Sequence, residues 1–121
     1  MSYNVSDLKI RKPLQWLGNS RTEVRSWPRT LQREAGRALG HVQDGREPSN
    51  WKPMATVGIG VNEIKVDDGE SAGRVIYIAK FPEAVYVLHA FEKTTPKTSK
   101  HDLEIAKVRL KKLIQDRKNE T

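Results

Sequence analysis

The sequence predicts an α+β fold in which a helical hairpin and a C-terminal helix pack on one face of a small antiparallel twisted sheet, in the order β-α-α-β-β-β-α. Three observations predict it. Apolar residues recur at helical spacing from Leu31 to Val42 and again from Leu103 to Ile114. Between those stretches lie runs rich in Val, Ile and Tyr, separated by short turns that carry Gly, Asp and Pro. Connections that short join antiparallel neighbours, because a parallel pair needs a long crossover.

Each element has its own local reason. "KPLQWL", Lys12 to Leu17, reads as a short first strand. Ser20-Arg21-Thr22-Glu23 has the spacing of a capping box, in which hydroxyl and carboxylate each satisfy an orphan amide at a helix start. Pro28 ends or kinks that helix. Leu31, Ala35, Ala38, Leu39 and Val42 form the apolar face of a second helix, which Gly45 closes. "GREPSNWKPM" holds two prolines and reads as a loop. Val57, Ile59 and Val61 alternate before the pattern shifts to Ile64 and Val66, which predicts a bulge near Gly60 to Asn62. "DDGESAG" is a hairpin loop, "RVIYIAKF" and "AVYVLHAF" are the next strands, and "PE" is the turn between them. Ser99-Lys100-His101-Asp102 opens the last helix, whose stripe is Leu103, Ala106, Leu110, Leu113 and Ile114.

The chain of 121 residues reads as one domain, with flexible ends at about residues 1–10 and 116–121. It has no cysteine, hence neither disulfides nor thiolate-bound zinc, and no apolar run of membrane-spanning length. A cytoplasmic location with no membrane partner is the simplest expectation. The net charge is +7, which points to a polyanionic partner. From Glu92 to Lys112 the net charge is +4, so over half of the excess lies in one sixth of the chain. A solvated helix face is the plainer use for such a run.

His41, His89 and His101 fall on different elements, without acids at ligand spacing, so no metal is expected. Asp67-Asp68 suits a hairpin turn for backbone reasons. "VGIGVN" lacks the helix that a phosphate-binding loop requires, and no cofactor is expected. What remains is cationic: Lys65, Arg74, Lys80 and Lys93 lie on, or at the ends of, three consecutive strands. Arg74, Ile76, Ile78 and Lys80 share one strand face, with the two cations at opposite ends. Such a set suits RNA cleavage, because RNA carries its own nucleophile, the 2′-hydroxyl beside the scissile phosphate. The protein has to orient it, move two protons and stabilise charge on the phosphorane. Alternatively, Arg74 is a surface strand residue, His89 a satisfied core histidine and Lys93 a strand-end gatekeeper.

"GVNEIKV", "GRVIYIAKFPEAVYVLHAFEKTTPKTSKHDLEIAKVRLKKL" and, upstream, "KPLQWLGNSRTEVRSWP" and "GRALGHVQDGREPSNWKPM" resemble the phage-derived, HigB-like branch of the RelE/ParE toxin superfamily. The resemblance runs from Lys12 to about Leu113 and is most specific in "VYVLHAFEKTTPKTSKHDLEIAKVR". It implies a RelE-like fold and the toxin of a type II toxin–antitoxin pair. The activity it implies is ribosome-dependent mRNA cleavage. ParE-like poisoning of gyrase, or an inactive prophage-derived binding protein, is the alternative. The implied partners are mRNA, the ribosome and a helix-turn-helix antitoxin, through which the toxin can oligomerise. Residue by residue, the resemblance implies a phosphate contact for Arg74, with Lys65, His89 and Lys93 completing the catalytic set. Lys80, Lys97 and Lys100 are expected to hold RNA, and loss of Arg74 to abolish activity without disturbing the fold. "TTPKTSKHD" lacks the tyrosine of RelE, Glu63 stands where RelE has a lysine, and Glu92-Lys93-Thr94 replaces a doubled lysine.

Overall fold

In a computed structural model, which describes residues 11–93 and 97–120, the sheet is apolar on both faces, and that decides the architecture. The strands are β1 (Leu14–Trp16), β2 (Trp51–Pro53), β3 (Val61–Asp67), β4 (Ala72–Ile78) and β5 (Val85–Glu92), and the helices are α1 (Ser20–Arg25), α2 (Arg29–Gln43) and α3 (Lys100–Asn119). Along β4, Val75 and Tyr77 join one buried cluster, while Ile76 and Ile78 join another. A strand that is apolar on successive residues must be covered on both sides. The first cluster takes Val24 of α1, Leu31, Ala35, Leu39 and Val42 of α2, and Trp27 between them. The second takes Ala106, Leu110 and Leu113 of α3. The expected α+β architecture is therefore present, but α3 covers the face opposite the helical hairpin.

The sheet has five strands in the order β1-β5-β4-β3-β2. β3, β4 and β5 form the expected antiparallel meander, whereas β1 pairs parallel to β5. β2 adds an antiparallel strand on the far edge, within the segment expected to be a loop. Its Pro53 is tolerated because an edge strand needs no donor on its outer side. The bulge sits in β5 instead of β3: Ile76 pairs with His89 and Tyr77 with Val87, so Leu88 is the extra residue. Val57 and Ile59 belong to a turn, closed by Val57 N–H to Met54 O at 2.9 Å and Val61 N–H to Gly58 O at 3.2 Å. This turn buries Val57 and leaves Ile59 outside.

Local chemistry explains most element ends. Ser99 caps α3 by accepting the Asp102 amide at 3.1 Å, as the sequence predicts. At α1 the capping box does not form. Ser20 is buried and donates to Leu17 O at 2.7 Å, and Glu23 instead accepts the Trp27 indole N–H at 2.9 Å. In the β3–β4 hairpin, Asp67 accepts the Gly69 amide at 2.6 Å, and Asp68 accepts the Glu70 and Ser71 amides at 2.9 and 2.6 Å. The acidic pair thus serves the turn. Gly73 is required by contact: a Cβ there would meet the Trp27 ring at 2.7 Å.

α3 continues to Asn119, beyond the expected start of a flexible end at residue 116. Arg117 ties it down, donating to Glu83 at 2.7 and 3.1 Å and lying 3.8 Å above the Phe81 ring. The expected flexible segment 1–10 lies outside the described residues. Among the described residues, no helix is long and apolar enough to cross a membrane.

Candidate active site

Buried polar side chains carry more information than buried apolar ones, since each must be satisfied or serve a purpose. Among the described residues they are Ser20, Glu63, Arg74 and His89, and the last three lie on the α3 side of the sheet. β3 places Glu63 there by alternation with the core residues Ile64 and Val66. β4 places Arg74 there by alternation with Val75, and the Leu88 bulge brings His89 and Phe91 to the same face.

Glu63 and Arg74 form a fully buried ion pair, with side-chain exposures of 0% and 3%. The Glu63 carboxylate also lies 3.8 Å from the Lys52 ammonium and accepts the Thr98 hydroxyl at 2.6 Å. Beside it, the Lys93 Nζ is buried and has no hydrogen-bond partner among the described residues. It sits 5.7 Å from the Phe91 ring centroid, a cation–π contact. Burial, and then the Arg74 charge, push the Lys93 ammonium below its ordinary pKa. A desolvated ammonium facing a guanidinium is a site short of negative charge.

An open groove of about 550 Å³ runs past this cluster, between β2 with its following turn and the start of α3. Lys52, Thr98, Lys97 and Lys100 line it, with Met54 and Leu103 as apolar floor. The structure therefore brings Lys97 and Lys100 to the mouth of a groove whose Lys52 wall touches the Glu63–Arg74 pair.

Of the other sequence-predicted residues, Lys65 is directly opposite Arg74 in the β3–β4 register and, by the alternation that places Glu63, on the same side of β3, but it is exposed and also borders a groove with Glu34 and His41 of α2. Lys80 is beyond the far end of β4, 5.4 Å from the Phe81 ring centroid. His89 lies 5.4 Å from the Phe91 ring, stacked on it, with both ring nitrogens engaged. Its Nε2 meets Asp102 Oδ1 at 2.7 Å, and its Nδ1 faces the Arg109 guanidinium at 3.4 Å. Arginine only donates, so Nδ1 accepts and Nε2–H donates to Asp102, which fixes the neutral tautomer. Burial lowers the His89 pKa against the opposing pull of Asp102. Arg109 also donates to Leu88 O at 2.9 Å and to Asn19 at 2.8 Å, so this network fastens α3 to β5 and to the start of α1.

Sequence reasoning missed Lys52, Asp102 and the role of Glu63. For Glu63 a signal existed: it interrupts the apolar side of "VNEIKV", and an acid on a core-facing position needs a cation. Lys52 had none, because its position depends on the three-residue pairing of β2 with β3.

Residues 22–111 match the family described as phage-derived protein Gp49-like (DUF891), about three quarters of the chain. The chain belongs to this Gp49-like family. It is a family of RelE/HigB-like toxins. Neither the curated proteins nor the solved structures gave a match.

Proposed function

We propose that this Gp49-like protein is the toxin of a type II toxin–antitoxin pair and acts as a ribosome-dependent, metal-independent mRNA endoribonuclease of the HigB-like branch. The observation that carries this reading is the buried Lys93 ammonium, without a hydrogen-bond partner among the described residues and set beside Arg74, whose partner Glu63 reaches Lys52 on the wall of the lysine-lined groove. A scissile phosphate supplies the missing negative charge. Arg74 grips its oxygens in exchange for Glu63, and Lys93 stabilises the charge that builds on the phosphorane.

Attack of the 2′-oxygen on phosphorus breaks the bond to the 5′-oxygen. Its products are a 2′,3′-cyclic phosphate and a 5′-hydroxyl. Glu63, released from Arg74, takes the 2′-hydroxyl proton, and Lys93, acidified by its surroundings, protonates the leaving oxygen. His89 and Lys65 act at a distance, His89 by fixing α3 and Lys65 by its field. Lys97 and Lys100 hold the flanking strand at the groove mouth. The partners in this reading are the ribosome with its mRNA and a helix-turn-helix antitoxin, in the cytoplasm.

The test is primer extension on a defined mRNA, with and without programmed ribosomes, comparing wild type with Lys93→Met and Arg74→Lys. Ribosome-dependent cuts with cyclic-phosphate ends, lost in both variants, are expected. Absence of cuts from a folded, growth-inhibiting protein would refute the nuclease reading and turn attention to a non-nuclease target such as gyrase.

A further inference from the structure

A second cationic feature lies on the other side of the sheet. Arg21, Arg25, Arg29, Arg33 and Arg37 recur at every fourth residue along α1 and α2, and all five are exposed. On α2, Arg29, Arg33 and Arg37 form one stripe opposite the buried Leu31, Ala35, Leu39 and Val42. Arg37 lies 3.6 Å from Glu34, and no ion pair is formed by the other four among the described residues. From residue 13 to residue 51 the chain uses arginine six times and lysine never, whereas lysine predominates from Lys52 onward. That segregation favours the planar fork of arginine, which binds phosphate or carboxylate through two parallel hydrogen bonds.

The stripe works against its own helix. Like charges four residues apart repel, Arg29 opposes the helix dipole in a first turn without acids, and exposed Gly36 lowers helix propensity. A Cβ on Gly36 would meet nothing within 4 Å, so packing does not require the glycine. It leaves the helix backbone bare beside the arginines, open to close approach. Four residues of helix rise about 6 Å, comparable to the separation of successive phosphates along an RNA strand.

The exposed residues of α1 and the first half of α2 are arginines with Thr22, Thr30 and Gly36, while the exposed large apolar side chains, Ile59, Val108 and Ile114, lie elsewhere. A protein partner would need an apolar anchor here, and a phosphate backbone needs none. We propose that the outward face of α2 is a docking surface for the phosphate backbone of structured RNA, separate from the candidate groove and independent of cleavage.

The test is fluorescence anisotropy of the full chain with a short blunt RNA duplex over a salt series. Arg29→Gln/Arg33→Gln/Arg37→Gln is compared with the charge-matched Lys111→Gln/Lys112→Gln/Lys118→Gln, and thermal melts confirm that both fold. The stripe variant is expected to lower the slope of log affinity against log salt by about 2 to 3, and the control to change it by less than about 1. Equal slopes for the two variants would overturn the proposal. So would polyglutamate displacing the duplex as well as unlabelled duplex does, which would mark the stripe as a dock for an acidic protein.

Discussion

Truncating Arg74 to alanine strands a carboxylate that water does not reach. Glu63 is 0% exposed and, among the described residues, would keep Lys52, at 3.8 Å, the Thr98 hydroxyl, at 2.6 Å, and the field of the Lys93 ammonium. Removing one partner of a buried ion pair costs about 3–5 kcal/mol, and the remaining Lys52 contact sets the expectation near the lower end, about 3 kcal/mol. For a domain of this size that is a fall in Tm of about 12 °C. Replacing both residues by apolar side chains of similar volume, Arg74→Met/Glu63→Leu, is expected to cost about 1 kcal/mol or less, since neither charge is then left behind. Urea unfolding of the two single variants and the double would close the cycle. A single Arg74→Ala variant that loses less than about 1 kcal/mol would refute the reasoning, as would a double variant whose loss equals the sum of the singles. Glu63 would then be solvated, and the cluster would not be preorganised. The same arithmetic makes alanine a poor probe of Arg74 chemistry, because lost activity would report lost folding.

Lys93→Met removes a desolvated charge and keeps the stem, so it is expected to stabilise the fold by about 1 kcal/mol in denaturant unfolding while abolishing cleavage; a destabilised variant would show that Lys93 is a structural residue. His89 is held below its ordinary 6.5 by burial, so the unfolded chain binds its proton more readily. Its stabilising contribution is complete above about 6.5 and is lost as the pH falls from there through the lowered folded value, so unfolding free energies of wild type should drop as the pH is taken below about 6.5. His89→Gln should flatten that slope, and equal slopes would contradict the assignment. Gly36→Ala is expected to raise Tm by about 4 °C, from about 1 kcal/mol of helix propensity at an open position. A lower Tm would mean that the backbone there is not free to accept a Cβ.

How much of this was legible in the sequence depended on the range of the interactions that decide each feature. α2 and α3 were readable because their apolar residues keep helical spacing and their ends carry Gly45 and Ser99. β4 and β5 were readable as apolar runs between turns. β2 was not, because three residues around a proline become a strand only by pairing with β3. The side on which α3 packs was encoded in the successive apolar residues of β4, a pattern that implies two covered faces and that a one-layer reading overlooked. The bulge was misplaced because glycine marks permissive backbone, whereas the extra residue is Leu88, between two paired segments of β5.

At the site, Arg74, Lys93, Lys97 and Lys100 could be named from charge on strands and their ends. Their neighbour Lys52 is brought in only by the pairing of β2 with β3, and Asp102, though close in the chain, meets His89 only through the packing of α3 on the sheet. Periodicity assigned Arg74 to the correct face but could not show that it is buried against Glu63.

The most direct measurement of the central claim is the 3′ end of RNA cut on programmed ribosomes, for wild type and for the folded Lys93→Met variant. Cyclic-phosphate ends from wild type and no cuts from Lys93→Met are predicted. Cuts of undiminished rate from Lys93→Met, or ends bearing a free 3′-hydroxyl, would contradict a cluster that uses the RNA's own 2′-oxygen and the buried ammonium beside Arg74.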